Sequence, residues 1–197
     1  MFAVISPAKK LDFTQPVRGG VTQPKLLDET EALLDETRRL SPADLTKLMK
    51  ISDQLAELNY GRFQSFELPF NENNAKQAIF AFNGDTYVGF DAKTLEDDEL
   101  DYAQDHLGIL SGLYGLLRPR DLMHPYRLEM GTRLVNPRGK DLYAFWGSRI
   151  TGAINEALAG QSDPTVINLA SNEYFKSVKK QELDGEVITP AFKELKD

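Results

Sequence analysis

Cysteine is absent from the 197-residue chain, which excludes disulfides, iron–sulfur ligation and thiol redox chemistry. Histidine is nearly absent too: His106 and His124 are the two imidazoles, too few for a histidine-built metal store. No apolar run approaches membrane length, and MFAVISPAKK at the N-terminus has no charged region ahead of its short apolar run. Neither a span nor a secretory leader is therefore expected, and the chain reads as cytoplasmic. Cations are in deficit, 23 Lys and Arg against 30 Asp and Glu, for a net charge of -7. That balance disfavours a uniformly basic nucleic-acid binder but allows a basic patch on an acidic body. Internal repeats, low-complexity segments and linkers are also lacking. With 41% hydrophobic and 27% charged residues, the composition suits one globular domain over residues 1–197.

What is present in concentrated form lies between Ser111 and Lys140. This stretch has glycines, prolines and no sustained apolar period, yet it holds Arg118, Arg120, Arg127, Arg133, Arg138 and Lys140, opposed by Asp121 and Glu129. An irregular, charged and long segment is expected to be a working surface. Planar guanidinium forks suit phosphate or carboxylate. The competing reading is structural, with Arg127 and Glu129, or Arg120 and Asp121, neutralising each other.

Along the chain, Phe2–Ile5 reads as a buried strand that delivers the loop SPAKKLD, with Lys9 and Lys10 just beyond it. Leucines at helical spacing predict an amphipathic helix over Pro24–Leu40. Ser41 and Pro42 announce the next helix as N-cap and first residue, and a third begins at Ser52–Asp53. Ala78–Phe82 (AIFAF) reads as a second strand. In the acidic segment Asp91–Asp105, Thr94 is the expected cap of a helix whose inner stripe is Leu100, Ala103, Leu107 and Leu110. Its carboxylates, Asp97, Asp98 and Asp101 among them, read as a solvated first turn rather than a cation site. Gly112 and Gly115 mark a tight turn. Asp141 caps a long helix through Leu158, Thr165–Leu169 is a third strand, and Glu186–Phe192 is a fourth, placed at an edge by Pro190. Strands interleaved with helices predict an α/β fold, a single domain with a mixed, largely buried sheet flanked by helices.

Residues 41–66 hold a further pattern. Leu48, Ile51 and Ala56 fit the apolar positions of a helix-hairpin-helix, a nonspecific DNA-binding element, while Lys50 and Ser52 stand where glycines usually do. In that reading Ser52 caps the second helix and Lys47 with Lys50 supplies charge to a phosphate. An ordinary helix-turn-helix packing corner fits the same residues equally well.

Several longer blocks are distinctive together: ISPAKKLD (Ile5–Asp12), LSGLYGLLRP (Leu110–Pro119), DLMHPYRLEMG (Asp121–Gly131), LYAFWG (Leu142–Gly147) and INLASNEYFKSV (Ile167–Val178). Through them nearly the whole chain resembles the YaaA peroxide-stress-response family. The resemblance implies a cytoplasmic bacterial protein that limits free intracellular iron under hydrogen peroxide and protects DNA and protein. It also implies a family-specific α/β fold containing a helix-hairpin-helix, and a positively charged cleft that binds DNA. Family members generally continue with basic sequence past the position of Asp197, so this chain is expected to lack that extension.

Carried onto this sequence, the implied DNA-binding residues are Lys47, Lys50 and Ser52 on the hairpin, with Lys9, Lys10, Arg118, Arg120, Arg127, Lys176, Lys179 and Lys180 in or beside the blocks. The loops at Ser6, Gly112 and Ser171 are expected to converge on one basic cleft, with the hairpin gripping backbone phosphates nearby. Duplex or branched DNA, read by shape and charge with little sequence preference, is the expected partner. No metal, cofactor or membrane partner is expected. An enzyme is the rival class, since Tyr126, Arg127, Glu129, Asn172 and Glu173 are groups that bind a nucleotide or other small anionic substrate and exchange protons. An enclosed pocket holding Glu129 and Glu173 would favour chemistry, and an open basic groove would favour duplex. A scaffold whose basic patch meets an acidic partner is the third reading.

Overall fold

The computed structural model describes residues 1–14 and 17–192. The run FAVI forms strand β1 (Phe2–Ile5), with Phe2, Val4 and Ile5 buried. Helix α1 (Leu27–Arg38) turns Leu33 and Leu34 into the core, starting three residues after the expected Pro24. In α2 (Pro42–Met49) the expected Ser41 cap is present as a capping box: Asp44 N–H donates to Ser41 Oγ, and Ser41 N–H to the Asp44 carboxylate. Helix α3 (Asp53–Gln64) is capped by Ser52, whose Oγ accepts from Leu55 N–H at 3.3 Å. Three residues join α2 to α3, and the first of them, Lys50, is left-handed at φ 53°.

Strand β2 (Lys76–Gln77) leads into a correction. Ala78–Phe82 is not a strand: Ala78–Ala81 form a short helix, α4, and only Phe82 is extended. All five residues are buried, so no polar alternation marks which structure they adopt. Their backbone decides, because the N–H groups of Ala78 and Ile79 donate to the carbonyls of Asp121 and Pro119. After α5 (Asp85–Phe90) comes α6 (Asp97–His106), capped by Glu96 and Glu99 rather than by Thr94, which ends a single 3₁₀ turn. Its first-turn acids are the expected solvated turn.

Helix α6 also ends sooner than its leucine stripe suggests. Leu107 and Leu110 belong to strand β3 (Leu107–Ser111). The strand contains Gly108, where a Cβ would lie 2.8 Å from the Phe2 ring, so glycine lets β3 lie this close to β1. A tight turn through Gly112 leads to β4 (Gly115–Leu117), with Gly115 at φ +70° as the turn requires. Strand β5 (Leu122–Met123) pairs with β2 in a separate antiparallel ribbon. The long helix expected from Asp141 is two helices, α7 (Leu142–Trp146) and α8 (Arg149–Leu158), divided at Gly147 with φ +52°. Asp141 is the expected cap, its Oδ1 accepting from Ala144 N–H at 2.9 Å. Strand β6 (Val166–Asn168), the short α9 (Asn172–Phe175) and strand β7 (Val187–Ile188) complete the order.

The main sheet is mixed, in the order β4-β3-β1-β6-β7. β1 runs parallel to both β3 and β6, β6 runs parallel to β7, and β4 returns antiparallel to β3. The chain is thus a single α/β domain, and β7 lies at an edge as expected, although it is only Val187–Ile188 of the expected Glu186–Phe192 and ends before Pro190. No helix among the described residues is long and apolar enough to cross a membrane.

The stretch from Ser111 to Lys140 departs most from expectation. Rather than an exposed working surface, it is largely interior, with Leu113, Tyr114, Tyr126, Leu128 and Met130 in the core. Irregular backbone can be buried only when its polar groups find partners. Here Asp121 accepts from Arg118 N–H and Thr22 Oγ, Tyr114 exchanges hydrogen bonds with the His124 backbone, and Trp146 Nε1 donates to Gly112 O. Its arginines are mostly taken up internally: Arg118 by Asp105, Arg120 by Asp101, Arg127 by Glu129 and Arg138 by Glu29.

Candidate functional site

The carboxyl ends of the three central strands meet, where open α/β sheets place their ligands. After β1, Ser6 Oγ accepts from Ser171 N–H at 2.9 Å and donates to Ser171 Oγ at 3.3 Å, joining it to the loop after β6. Tyr87, on α5, donates to the Ser6 carbonyl at 2.9 Å. At the end of β3 the Ser111 and Tyr126 hydroxyls hydrogen-bond at 2.6 Å, and Ser111 Oγ accepts from Tyr114 N–H. A Cβ on Gly112 would stand 2.1 Å from Leu128 O, so the β3 turn presses directly on the next segment of chain. The loops at Ser6 and Ser171 therefore meet, and the Gly112 turn presses on the Leu128 segment that lines the cleft beside them.

Between them is a small cleft of about 70 Å³, walled by Lys9, Tyr126, Arg127, Glu129, Glu173 and Tyr174. Its charge is balanced. Lys9 Nζ at 3.1 Å and Arg127 Nη2 at 3.2 Å share one oxygen, Glu129 Oε1. Arg127 Nε is buried without a hydrogen-bond partner among the described residues. Glu173 Oε1 accepts from Gly131 N–H at 2.8 Å, and its backbone carbonyl from Tyr143 OH at 2.9 Å. Burial raises the Tyr126 phenol above its ordinary range, against the Ser111 bond that lowers it. Tyr174 is raised as well, by burial first, with the acidic neighbours Tyr126, Glu173 and Glu129 adding to it. Both phenols are neutral at physiological pH. The arrangement can hold a small anionic group if one displaces Glu129 from its two cations.

The sequence-derived site residues fall into three places. Lys9 and Arg127 form the cleft wall, and Lys176 lies beside it with Nζ 5.0 Å from the Tyr143 ring centre. Lys10 is exposed next to Lys9, and its carbonyl accepts from Asn83 N–H. Lys179 and Lys180 follow on the same segment: Lys179 N–H is fixed by Thr151 Oγ1, and Lys180 Nζ sits 5.3 Å over Phe175. Lys47 is in the last turn of α2, and Lys50 and Ser52 are on the α2–α3 connection that follows, where the Ser52 hydroxyl is occupied in capping. Arg118 and Arg120 are elsewhere. Arg118 binds the Gln104 carbonyl at 2.7 Å and Asp105 at 2.8 Å. Arg120 is buried, with its guanidinium on Gly20 O, Asp97 O and Asp101, so it does not reach the surface as a phosphate contact would require.

Sequence reasoning missed Tyr87, Ser111 and Tyr174 as members of the site. The available signal was slight: Tyr174 directly follows Glu173, and Ser111 directly precedes Gly112. A row of rings, Phe66 to Tyr114 at 6.2 Å and Tyr114 to Tyr126 at 5.3 Å, connects the chain just past α3 with the cleft.

The chain is 61% identical over 199 residues to a UPF0246 protein of Alteromonas mediterranea, a match covering 100% of this chain and 76% of the relative. It is 58% identical over 198 residues to a UPF0246 protein of Saccharophagus degradans, covering 100% of this chain and 77% of that relative. The sequence profile of the family described as Peroxide stress protein YaaA matches residues 1–197. With the match running from end to end and both relatives at 58–61% identity, the chain belongs to the YaaA peroxide stress protein family.

Proposed function

We propose that this chain acts in the hydrogen peroxide response by binding duplex or branched DNA, thereby limiting free intracellular iron and protecting DNA and protein. The observation that carries the reading is the meeting of Lys9 and Arg127 at one cleft, with Lys10, Lys176, Lys179 and Lys180 near its wall residues in sequence. Phosphates would compete with Glu129 for Lys9 and Arg127. The α2–α3 connection supplies a second contact in this reading. It resembles a helix-hairpin-helix in which left-handed Lys50 replaces a glycine, and the capped start of the 12-residue α3 adds a favourable dipole. Iron limitation follows from DNA contact rather than from storage: His124 is buried between Phe66 and Phe70, and His106 stacks on Tyr102.

Fluorescence anisotropy of labelled duplex and four-way-junction DNA across a salt series tests this. Affinity should fall log-linearly with salt, and Lys9→Glu with Lys176→Glu should weaken binding to all sequences alike and flatten the slope. No binding at low salt would reject the reading. A second reading, an enzyme or receptor for a nucleotide or other small anion, is favoured by one observation: Glu129 and Glu173 both wall the cleft. A thermal shift with nucleotides, abolished by Arg127→Ala while DNA binding persists, would select it.

A further inference from the structure

A second cavity, of about 280 Å³, shares the loop after β1 with the cleft. Its floor is apolar: Ile79, Phe80 and Phe82, supplied by α4 and the extended residue after it, are buried, as are Tyr87 and Ala92. Its rim is polar, made of half-buried Asp12 and Asn83 and exposed Asp91 and Lys93. The rim is held in place from several sides. Lys76, itself buried, donates from Nζ to the Asp12 carbonyl at 2.9 Å, and the Asp12 carboxylate accepts from Thr14 N–H at 2.9 Å and Thr14 Oγ1 at 2.7 Å. Asn83 N–H donates to Lys10 O at 2.9 Å, and Arg18 Nη1 donates to Lys93 O at 2.9 Å. The Asn83 side-chain amide lines the cavity with no hydrogen-bond partner among the described residues.

This lining discriminates among ligands by charge. Two carboxylates on the rim, Asp12 and Asp91, disfavour an anion. Lys93 beside them and the Lys76 ammonium on the Asp12 carbonyl offset those charges, so a cation gains little either. No group of three His, Cys, Asp or Glu suited to a metal ion occurs among the described residues. What fits is a neutral, flat group with an apolar face and hydrogen-bonding edges. Carboxylates accept from exocyclic amines, an amide matches a donor beside an acceptor, and an aromatic floor suits the ring face. The volume is near the lower end of small-molecule sites. We propose that this cavity binds a nucleobase carrying an exocyclic amine, read at its edge by Asp12 and Asn83. The site is separate from the cleft and does not depend on the DNA reading above. Its base belongs either to a free nucleotide or to an unpaired position in DNA, since three residues, about 10 Å at most, separate Asp12 from Lys9 on the cleft wall.

The test follows the fluorescence anisotropy of 2-aminopurine deoxyriboside, whose base carries such an amine, as this chain is added. Anisotropy should rise to saturation. Val88→Trp should abolish the rise, because Val88 lines the cavity yet is 68% exposed, so the larger ring blocks the mouth without entering the core. Asn83→Ala should weaken binding about fivefold or more. Deoxycytidine should displace the probe about tenfold more readily than thymidine, which has no exocyclic amine. Circular dichroism checks that both variants are folded. An anisotropy that never saturates, equal competition by thymidine, or unchanged binding by folded Val88→Trp would each overturn the proposal. The same base placed unpaired in a bulged duplex then separates the two sources. A gain of about tenfold over the nucleoside that Val88→Trp removes assigns the site to a DNA base, and equal affinity assigns it to a free nucleotide. Because the nucleoside titration contains no duplex, it holds or fails independently of DNA binding.

Discussion

The α2–α3 connection and the stretch from Ser111 to Lys140 make opposite use of irregular backbone and of charge. The connection is three residues long, satisfied locally by the Lys50 and Ile51 N–H groups on the Thr46 carbonyl on one side and the Ser52 cap on the other, and it leaves Lys50 exposed. The longer stretch satisfies its backbone through remote partners, among them Thr22 and Trp146, and mostly neutralises its arginines within the molecule. The contrast shows that clustered cations in a sequence do not by themselves make a surface. What matters is whether acids from other elements reach them.

The largest effect should come from the buried side of that contrast. Trp146 is fully buried and donates to Gly112 O in the turn before β4. Trp146→Ala should cost about 3 to 5 kcal/mol in urea unfolding. A loss near 1 kcal/mol would mean that the stretch does not depend on its remote partners.

Asp121 should give the next effect, and it depends on pH. Burial first, against its bonds from Thr22 and Arg118, pushes its carboxyl from 3.8 up to about 6. Because the folded pKa lies above the unfolded one, the associated stability is fully present below about pH 4 and is lost as pH rises through about 6. The loss is on the order of 3 kcal/mol by pH 7. Asp121→Asn should remove this slope while lowering stability at every pH, since its amide would face the Arg118 N–H that the carboxylate accepts. Urea midpoints at pH 4.5 and 7 measure both terms.

On the exposed side the effects are smaller. Ser52→Ala should cost about 1 kcal/mol through the lost cap. Lys50→Gly should stabilise by about 0.5 to 1 kcal/mol by relieving the left-handed backbone. If Lys50→Gly unfolds the connection instead, the locality of its stabilisation is refuted. Lys9→Ala should change stability least, by about 0.5 kcal/mol or less, because its pair with Glu129 leaves the lysine mostly in water. Thermal melts of these three variants in one buffer would rank them.

Legibility followed the reach of the forces involved. Caps at Ser41, Ser52 and Asp141 were readable because a cap involves residues two or three apart. Strands β1 and β6 were readable as short apolar runs, and so was the edge position of β7, because proline denies a ladder donor. AIFAF was not, since uniform burial erases periodicity. Nor was the end of α6, where Leu107 and Leu110 keep helical spacing while their backbone pairs with β1 and β4. At the site, Lys9, Arg127, Glu129 and Glu173 were all named from sequence, but their sharing of one cleft depends on contacts between loops far apart in the chain.

The sequence by itself determined the α/β class, the helix starts at Ser41, Ser52 and Asp141 and the absence of thiol chemistry, since each rests on composition or on hydrogen bonds between near neighbours. Tertiary structure alone decided which arginines face solvent, that Lys9 and Arg127 meet on a single Glu129 oxygen, and that Asp12, Asn83 and Asp91 rim one cavity. Charge pairing and burial depend on distances in space, and separation along the chain does not specify them.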